Sequence, residues 1–256
     1  MKRAGYIILA VFSAAAVLSL FWTPFDPLQA APAERLQPFG AAHWMGTDEL
    51  GRDVLSRIMA GARLTLSVAA ASVALSALVG IPLGIFAGMR RRAGKVVMGA
   101  SDLLLAFPAL LLAIVFTAVF GASMWIVVLA IGIAGIPGFV RVARVGTLQV
   151  MSQDYILAAR MAKVPGPVIA ARHVLPNIAH LLAAQATVAA ALAILAEAGL
   201  SFLGLGAPAP YASWGRMLQA SQPYLATAPH LALWPGAAIA LTVLACNLIG
   251  GDRDRR

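Results

Sequence analysis

Few side chains in this sequence have the chemistry to act on a substrate, and their spacing excludes most catalytic designs. The four histidines, His43, His173, His180 and His230, are dispersed. No His-Glu-x-x-His helix, Cys cluster or Ser-His-Asp spacing occurs, so each reads as an interface or capping histidine. The nearest approach to a nucleotide-binding loop runs from Gly88 to Gly94-Lys95. It has five intervening residues instead of four, and Val96 stands where Ser or Thr must hold magnesium. The single Cys246 has no intrachain disulfide partner. No catalytic, metal or cofactor-binding residue is expected. What remains is two acids set in apolar runs and one basic segment. Asp102 lies about two turns into its run, and Glu197 lies near the end of another. A carboxylate in hydrocarbon costs a few kcal/mol, so both are pathway candidates. Glu197 is the better one, because it opens toward a loop.

The elements that must position these groups are membrane helices. The 256 residues are 61% hydrophobic and 11% charged, with a mean hydropathy of +0.86. A soluble domain carries about 25% charged residues. Six apolar runs approach or exceed the roughly 17 residues that cross hydrocarbon: Gly5–Trp22, Leu64–Gly88, Val96–Phe120, Met124–Val140, Ile178–Ala198 and Leu231–Gly250. Lipid offers no partner to an unpaired backbone group. The predicted fold is therefore all-α and polytopic, with about six transmembrane helices. The net charge of +9 and pI of 10.8 do not call for nucleic acid, since the basic residues lie between apolar runs.

Those residues set an orientation. With the N-terminus inside, the inner side receives 14 of the 19 Lys and Arg. They are Lys2, Arg3, Arg90, Arg91, Arg92, Lys95, Arg141, Arg144, Arg160, Lys163, Arg172, Arg253, Arg255 and Arg256. Both termini are then cytoplasmic. The first run, after Met-Lys-Arg, also has the look of a signal peptide, but it exceeds the usual length of about 7–15 residues and reads as a retained helix. Residues 23–62 and 199–230 form two outer segments, the second suited to a short interfacial or re-entrant helix. Gly80, Gly84 and Gly88 make a close-packing stripe, and Ala179, Ala183, Ala186, Ala190 and Ala193 make another. Pro82, Pro108 and Pro137 are expected to kink their helices.

Residues 154–177 are basic and polar between two runs. Asp154 is placed to cap a short helix to about Ala162. Pro165-Gly166-Pro167 breaks it, and a second short helix from about Val168 to His173 is expected to end before Pro176. Charge and pattern alone fit either a solvated basic loop or a docking helix–turn–helix.

The spacing of this segment resembles the cytoplasmic EAA loop of permease subunits in binding-protein-dependent ABC importers. Ala158-Ala159 match that pattern, as does their distance to Leu175-Pro176. Leu157 replaces the family's Glu, Lys163 replaces its Gly, and His173 fills a usually apolar place. His173-Val174-Leu175-Pro176-Asn177 is similar to the dipeptide, oligopeptide and nickel branch, as are Gly46-Thr47-Asp48-Glu49-Leu50-Gly51-Arg52-Asp53-Val54-Leu55-Ser56-Arg57 and Leu200-Ser201-Phe202-Leu203-Gly204-Leu205-Gly206. Trp214-Gly215, Pro235-Gly236 and Asn247-Leu248 fit the same branch, and Gly250-Gly251-Asp252-Arg253-Asp254 shortens its tail.

The resemblance implies a type I ABC importer permease in the bacterial cytoplasmic (inner) membrane. Residues 1–62 would hold the first helix and outer segment, and 63–256 the permease core with a coupling loop at about 150–177. Its coupling residues would be Asp154, Tyr155, Leu157, Ala158, Ala159, Arg160, Lys163, Gly166, Arg172, His173 and Pro176. Arg160 and Lys163 would take over part of the missing Glu's electrostatic role, around a bend that Lys163 reshapes. The implied partners are a homologous second permease, two ATPase subunits that bind the ATP, an extracytoplasmic solute-binding protein and membrane lipid. Short peptides are the first expected cargo and a nickel chelate the second.

Overall fold

The computed structural model describes residues 2–206, 208 and 210–251, with the side chains of all but Arg91 and Ala93. Arg253, Arg255 and Arg256 of the charge argument, and Asp252–Asp254 of the tail, lie outside the described residues. Among these residues ten α-helices run in the order α1 (Lys2–Leu18), α2 (Val54–Met89), α3 (Arg91–Ala106), α4 (Ala109–Phe120), α5 (Met124–Met151), α6 (Asp154–Met161), α7 (Gly166–Ile169), α8 (Leu175–Phe202), α9 (Trp214–Ser221) and α10 (His230–Gly250). Among the described residues there are short 3-10 turns and no strand.

Among the described residues, four helical stretches are long and apolar enough to cross a bilayer: α2, α5, Gly166–Phe202 and α10. A bent pair, Gly94–Ala106 with Ala109–Phe120, makes a fifth at an angle of 79°. The 17-residue α1 completes the six runs expected from sequence. The third expected span is thus broken, and Pro108 is the reason. Phe107 before it is forced extended, at φ −90° and ψ 124°. Pro82 and Pro137, by contrast, stay inside continuous helices.

Two expected boundaries move. Helix α2 begins at Val54 instead of Leu64, so a division at 62/63 falls inside it. Asp53 starts it as N-cap, its carboxylate accepting from Ser56 N–H at 2.8 Å. Helix α5 continues past Val140 to Met151, because its charged last turns still bury Ala143, Gly146, Thr147 and Val150.

The glycine stripe sets the main contact. A methyl added to Gly80 would stand 2.7 Å from Phe139 Cβ, and one on Gly84 2.5 Å from Val140 O. One on Gly88 would meet Thr147 Cβ at 2.6 Å. Helices α2 and α5 can approach this closely only because those positions have no side chain. The alanine row on α8 behaves differently: Ala193 is buried, Ala186 and Ala190 are half-buried, and Ala179 and Ala183 are exposed.

Candidate functional site

Segment 154–177 is anchored through Ile156, Ile169 and Val174. Ile156 is fully buried in a cluster with Ile85 of α2, Ala143 and Val150 of α5, Ile169 of α7, and Ile178 and Leu182 of α8. That anchor turns the opposite face of α6 outward. Tyr155, Leu157, Ala158 and Arg160 are exposed, and Met161 is 85% exposed. Leu157 and Met161 lie one turn apart and so form an apolar patch beside Arg160 and Lys163. Arg160, Lys163 and Arg172 have no ion-pair partner among the described residues. Gln153, and not Asp154, is the N-cap of α6. Asp154 is the first helical residue, where its charge favours the positive end of the helix dipole.

Helix α6 ends in a Schellman turn. Val164 N–H donates to Ala159 O at 3.0 Å and Lys163 N–H to Arg160 O at 2.9 Å. This motif needs a left-handed residue between them, and Lys163 supplies it with φ +56°. The turn thus places a side chain at a left-handed position where Gly is preferred.

The second short helix does not stop before Pro176. Helix α7 passes through a π-turn at Ala170–Val174 into α8, giving one helical stretch from Gly166 to Phe202. Leu175 N–H reaches back five residues to Ala170 O. Widening the turn just ahead of Pro176 makes room for a ring that carries no N–H of its own. Asn177 Nδ2 donates to His173 O at 2.6 Å, and the His173 ring lies 6.1 Å from that of Tyr155. Pro176, Gly166 and Arg172 are exposed along this stretch.

The two acids take different positions. Asp102 on α3 pairs with Arg141 on α5 at 2.7 Å, both half-exposed. Glu197 is 1% exposed and does not open to a loop. Its two oxygens accept from Thr65 Oγ1 of α2 at 2.9 Å and Ser201 Oγ at 2.7 Å. Thr65 in turn lies under Trp214 N–H, and the Trp214 indole donates to Ile58 O at 3.0 Å. Glu197 is therefore a tie between α2, α8 and the start of α9. A cavity of about 200 Å³ opens between α2, α5, α8 and the α3–α4 bend, and neither acid lines it. Its polar groups are Ser72, Ser76 and Gln185. Ser72 and Ser76 bond to backbone carbonyls. Gln185 rests on Gly138, where a methyl would stand 2.6 Å from its Nε2.

The motif at 46–57 builds structure. Asp48 accepts from Arg52 Nε at 2.7 Å and Arg57 Nε at 3.2 Å. His43 is buried between Asp53 at 2.9 Å and Glu34 at 3.3 Å. Gly51, at φ +77°, leaves no room for a side chain beside Ala31 O. This lattice fixes the outer segment to the first turn of α2.

Sequence reasoning missed Ile156, Met161, Thr65 and Gln185. The 3.6-residue alternation of Ile156 against Leu157 and Met161 was available as a signal. Thr65 and Gln185 carried none, since their partners lie far along the chain.

The profile of the family described as binding-protein-dependent transport system inner membrane component matches residues 80–251. The chain belongs to this family. A dipeptide transport system permease protein of Alkalihalophilus pseudofirmus is 38% identical to this permease over 252 residues, covering 98% of it and 83% of the relative. A glutathione transport system permease protein of Pectobacterium atrosepticum is 39% identical over 258 residues, covering 98% and 84%. A di/tripeptide transport system permease protein of Pseudomonas aeruginosa is 39% identical over 257 residues, covering 97% and 84%. The permease is a multi-pass membrane protein with the all-helical fold of an ABC importer subunit.

Proposed function

We propose that this permease forms half of the translocation pathway of an importer for short peptides and is driven by separate ATPases. The supporting observation is the outward face of α6. Its apolar patch of Leu157 and Met161, flanked by Arg160 and Lys163, which have no ion-pair partner among the described residues, is backed by the fully buried Ile156. A surface apolar patch on a helix locked from behind is suited to docking another chain. The ATPase pair would dock there, and a homologous second permease would complete the pathway. An extracytoplasmic solute-binding protein would deliver cargo. Both termini would be cytoplasmic, on the basis of the charge distribution. The similarity to dipeptide, di/tripeptide and glutathione permeases favours a peptide cargo over a nickel chelate.

A cysteine-crosslinking scan over positions 154–175 against the ATPases tests docking. Crosslinks are expected at 157, 158 and 161 and not at 156. Absence of crosslinks at every position would overturn the reading. Peptide uptake abolished by ATP depletion and unaffected by an uncoupler separates this mechanism from an ion-driven carrier.

A further inference from the structure

We infer that the cavity between α2, α5, α8 and the α3–α4 bend binds the backbone of a passing peptide, with the side-chain amide of Gln185 bonding to the N–H and C=O of one residue. The inference rests on the peptide-importer reading and adds the group that is recognised. The cavity holds about 200 Å³. Ala134, Gly135 and Gly138 of α5 and Ala189 and Ala193 of α8 give it small walls, and Leu105 and Ala109 border it on either side of the Pro108 break. The observation that carries the inference is an amide with nothing to bond. Gln185 lines the cavity, is half-buried and makes no hydrogen bond among the described residues. The other polar side chains there already donate: Ser72 Oγ to Val128 O at 3.3 Å and Ser76 Oγ to Gly132 O at 2.6 Å.

Three features select peptide backbone over other occupants. The first is complementarity. A primary amide carries a donor and an acceptor side by side. In an extended chain one residue presents its C=O and N–H on the same side, as paired strands do, so Nε2 can donate to that C=O while Oε1 accepts from that N–H. The second is charge. No charged side chain lines the cavity, so an ionised group seated in it would go unpaired. Nor does a His, Cys or carboxylate there offer a ligand to a metal chelate. An acyl chain filling the space would leave the Gln185 amide still without a partner. The third is size. The volume falls below the roughly 300–1,000 Å³ of a complete small-molecule site, which fits one chain supplying half of a pathway. Gly138 keeps the amide in place, since a methyl there would stand 2.6 Å from Gln185 Nε2.

The test is uptake by the assembled transporter in proteoliposomes, comparing trialanine with alanyl-lactyl-alanine, whose ester replaces the N–H of the central residue by oxygen. Wild type is expected to favour trialanine. Gln185→Met, of similar length but with no N–H to donate, is expected to lose about fivefold of that preference, the effect of one neutral hydrogen bond. Discrimination by the solute-binding protein is common to both proteins and cancels. The thermal midpoint of Gln185→Met is expected to equal that of wild type, because the amide bonds to nothing in the fold. An unchanged preference in Gln185→Met would mean that the amide meets water only, and a lowered midpoint that it serves the fold. Either result would overturn the inference and leave the importer reading standing. Uptake of neither compound by wild type would overturn the cargo reading and this inference together.

Discussion

Glu197 and Thr65, 132 residues apart in sequence, share a 2.9 Å hydrogen bond in the buried interior and so join α8 to α2. Among the described residues, Glu197 has no cation beside it. Its neighbours are hydroxyls, which an amide can also satisfy. Glu197→Gln is therefore expected to unfold in detergent within about 1 kcal/mol of wild type. Glu197→Ala strands the Thr65 and Ser201 hydroxyls and should cost about 1–3 kcal/mol. Thermal unfolding checks both. A Glu197→Gln variant of unchanged stability but with KM for peptide raised tenfold would return Glu197 to the pathway.

Lys163 in its left-handed turn carries a penalty that Gly would not. Lys163→Gly is expected to stabilise the α6 turn by about 1 kcal/mol. Lys163→Ala gains nothing, because the positive φ remains. Hydrogen exchange at the Val164 amide reads the difference directly, and equal rates in all three proteins would refute the strain argument.

Met161 is the most exposed large apolar residue of α6, so Met161→Glu should leave thermal stability unchanged. If the patch docks a partner, the same change should cut uptake by at least tenfold. Ile156→Asp is the contrasting case. It buries a charge in the cluster around Ile85 and Val174 and should destabilise by several kcal/mol. Uptake retained in Met161→Glu would show that the patch is idle.

The two halves of the fold were not equally legible in sequence. The apolar runs of α2, α5, α8 and α10 gave the helical class, and the Gly80, Gly84 and Gly88 spacing gave a close-packing face on α2, because both are local periodicities; that α5 fills this face is visible only in the fold. The ends were harder. Asp53 caps α2 through a loop held by His43, Asp48 and Arg57, and only tertiary pairing shows why residues 54–63, with Arg57 and Arg63 among them, are helical. Pro176 read as a stop because a turn-widening ahead of it has no sequence signature. Glu197 read as a pathway residue because its donor Thr65 lies on another helix.

The α2–α5 contact gives a paired test. Gly84→Val would press on Val140 O and Ala143 Cβ and is expected to cost about 1–3 kcal/mol. Gly99→Ala on α3 meets nothing within 4 Å and should gain about 0.5–1 kcal/mol from helix propensity alone. Thermal midpoints moving in opposite directions support the packing. Equal shifts would refute it.

His43→Ala removes the bridge between Asp53 and Glu34 and leaves two carboxylates without it, one buried at the α2 N-cap. A loss of about 1–3 kcal/mol is expected. Faster proteolysis within residues 30–50 should accompany it, with α5 and α10 unaffected.

The helical stretch from Gly166 to Phe202 holds Arg172 near one end and Glu197 near the other, about 37 Å apart along one axis at 1.5 Å per residue. If a partner grips α6 as proposed, a push reaches this rod through the turn at 162–165 and the π-turn, and the far end of the rod meets the knot of Thr65, Ser201 and Trp214.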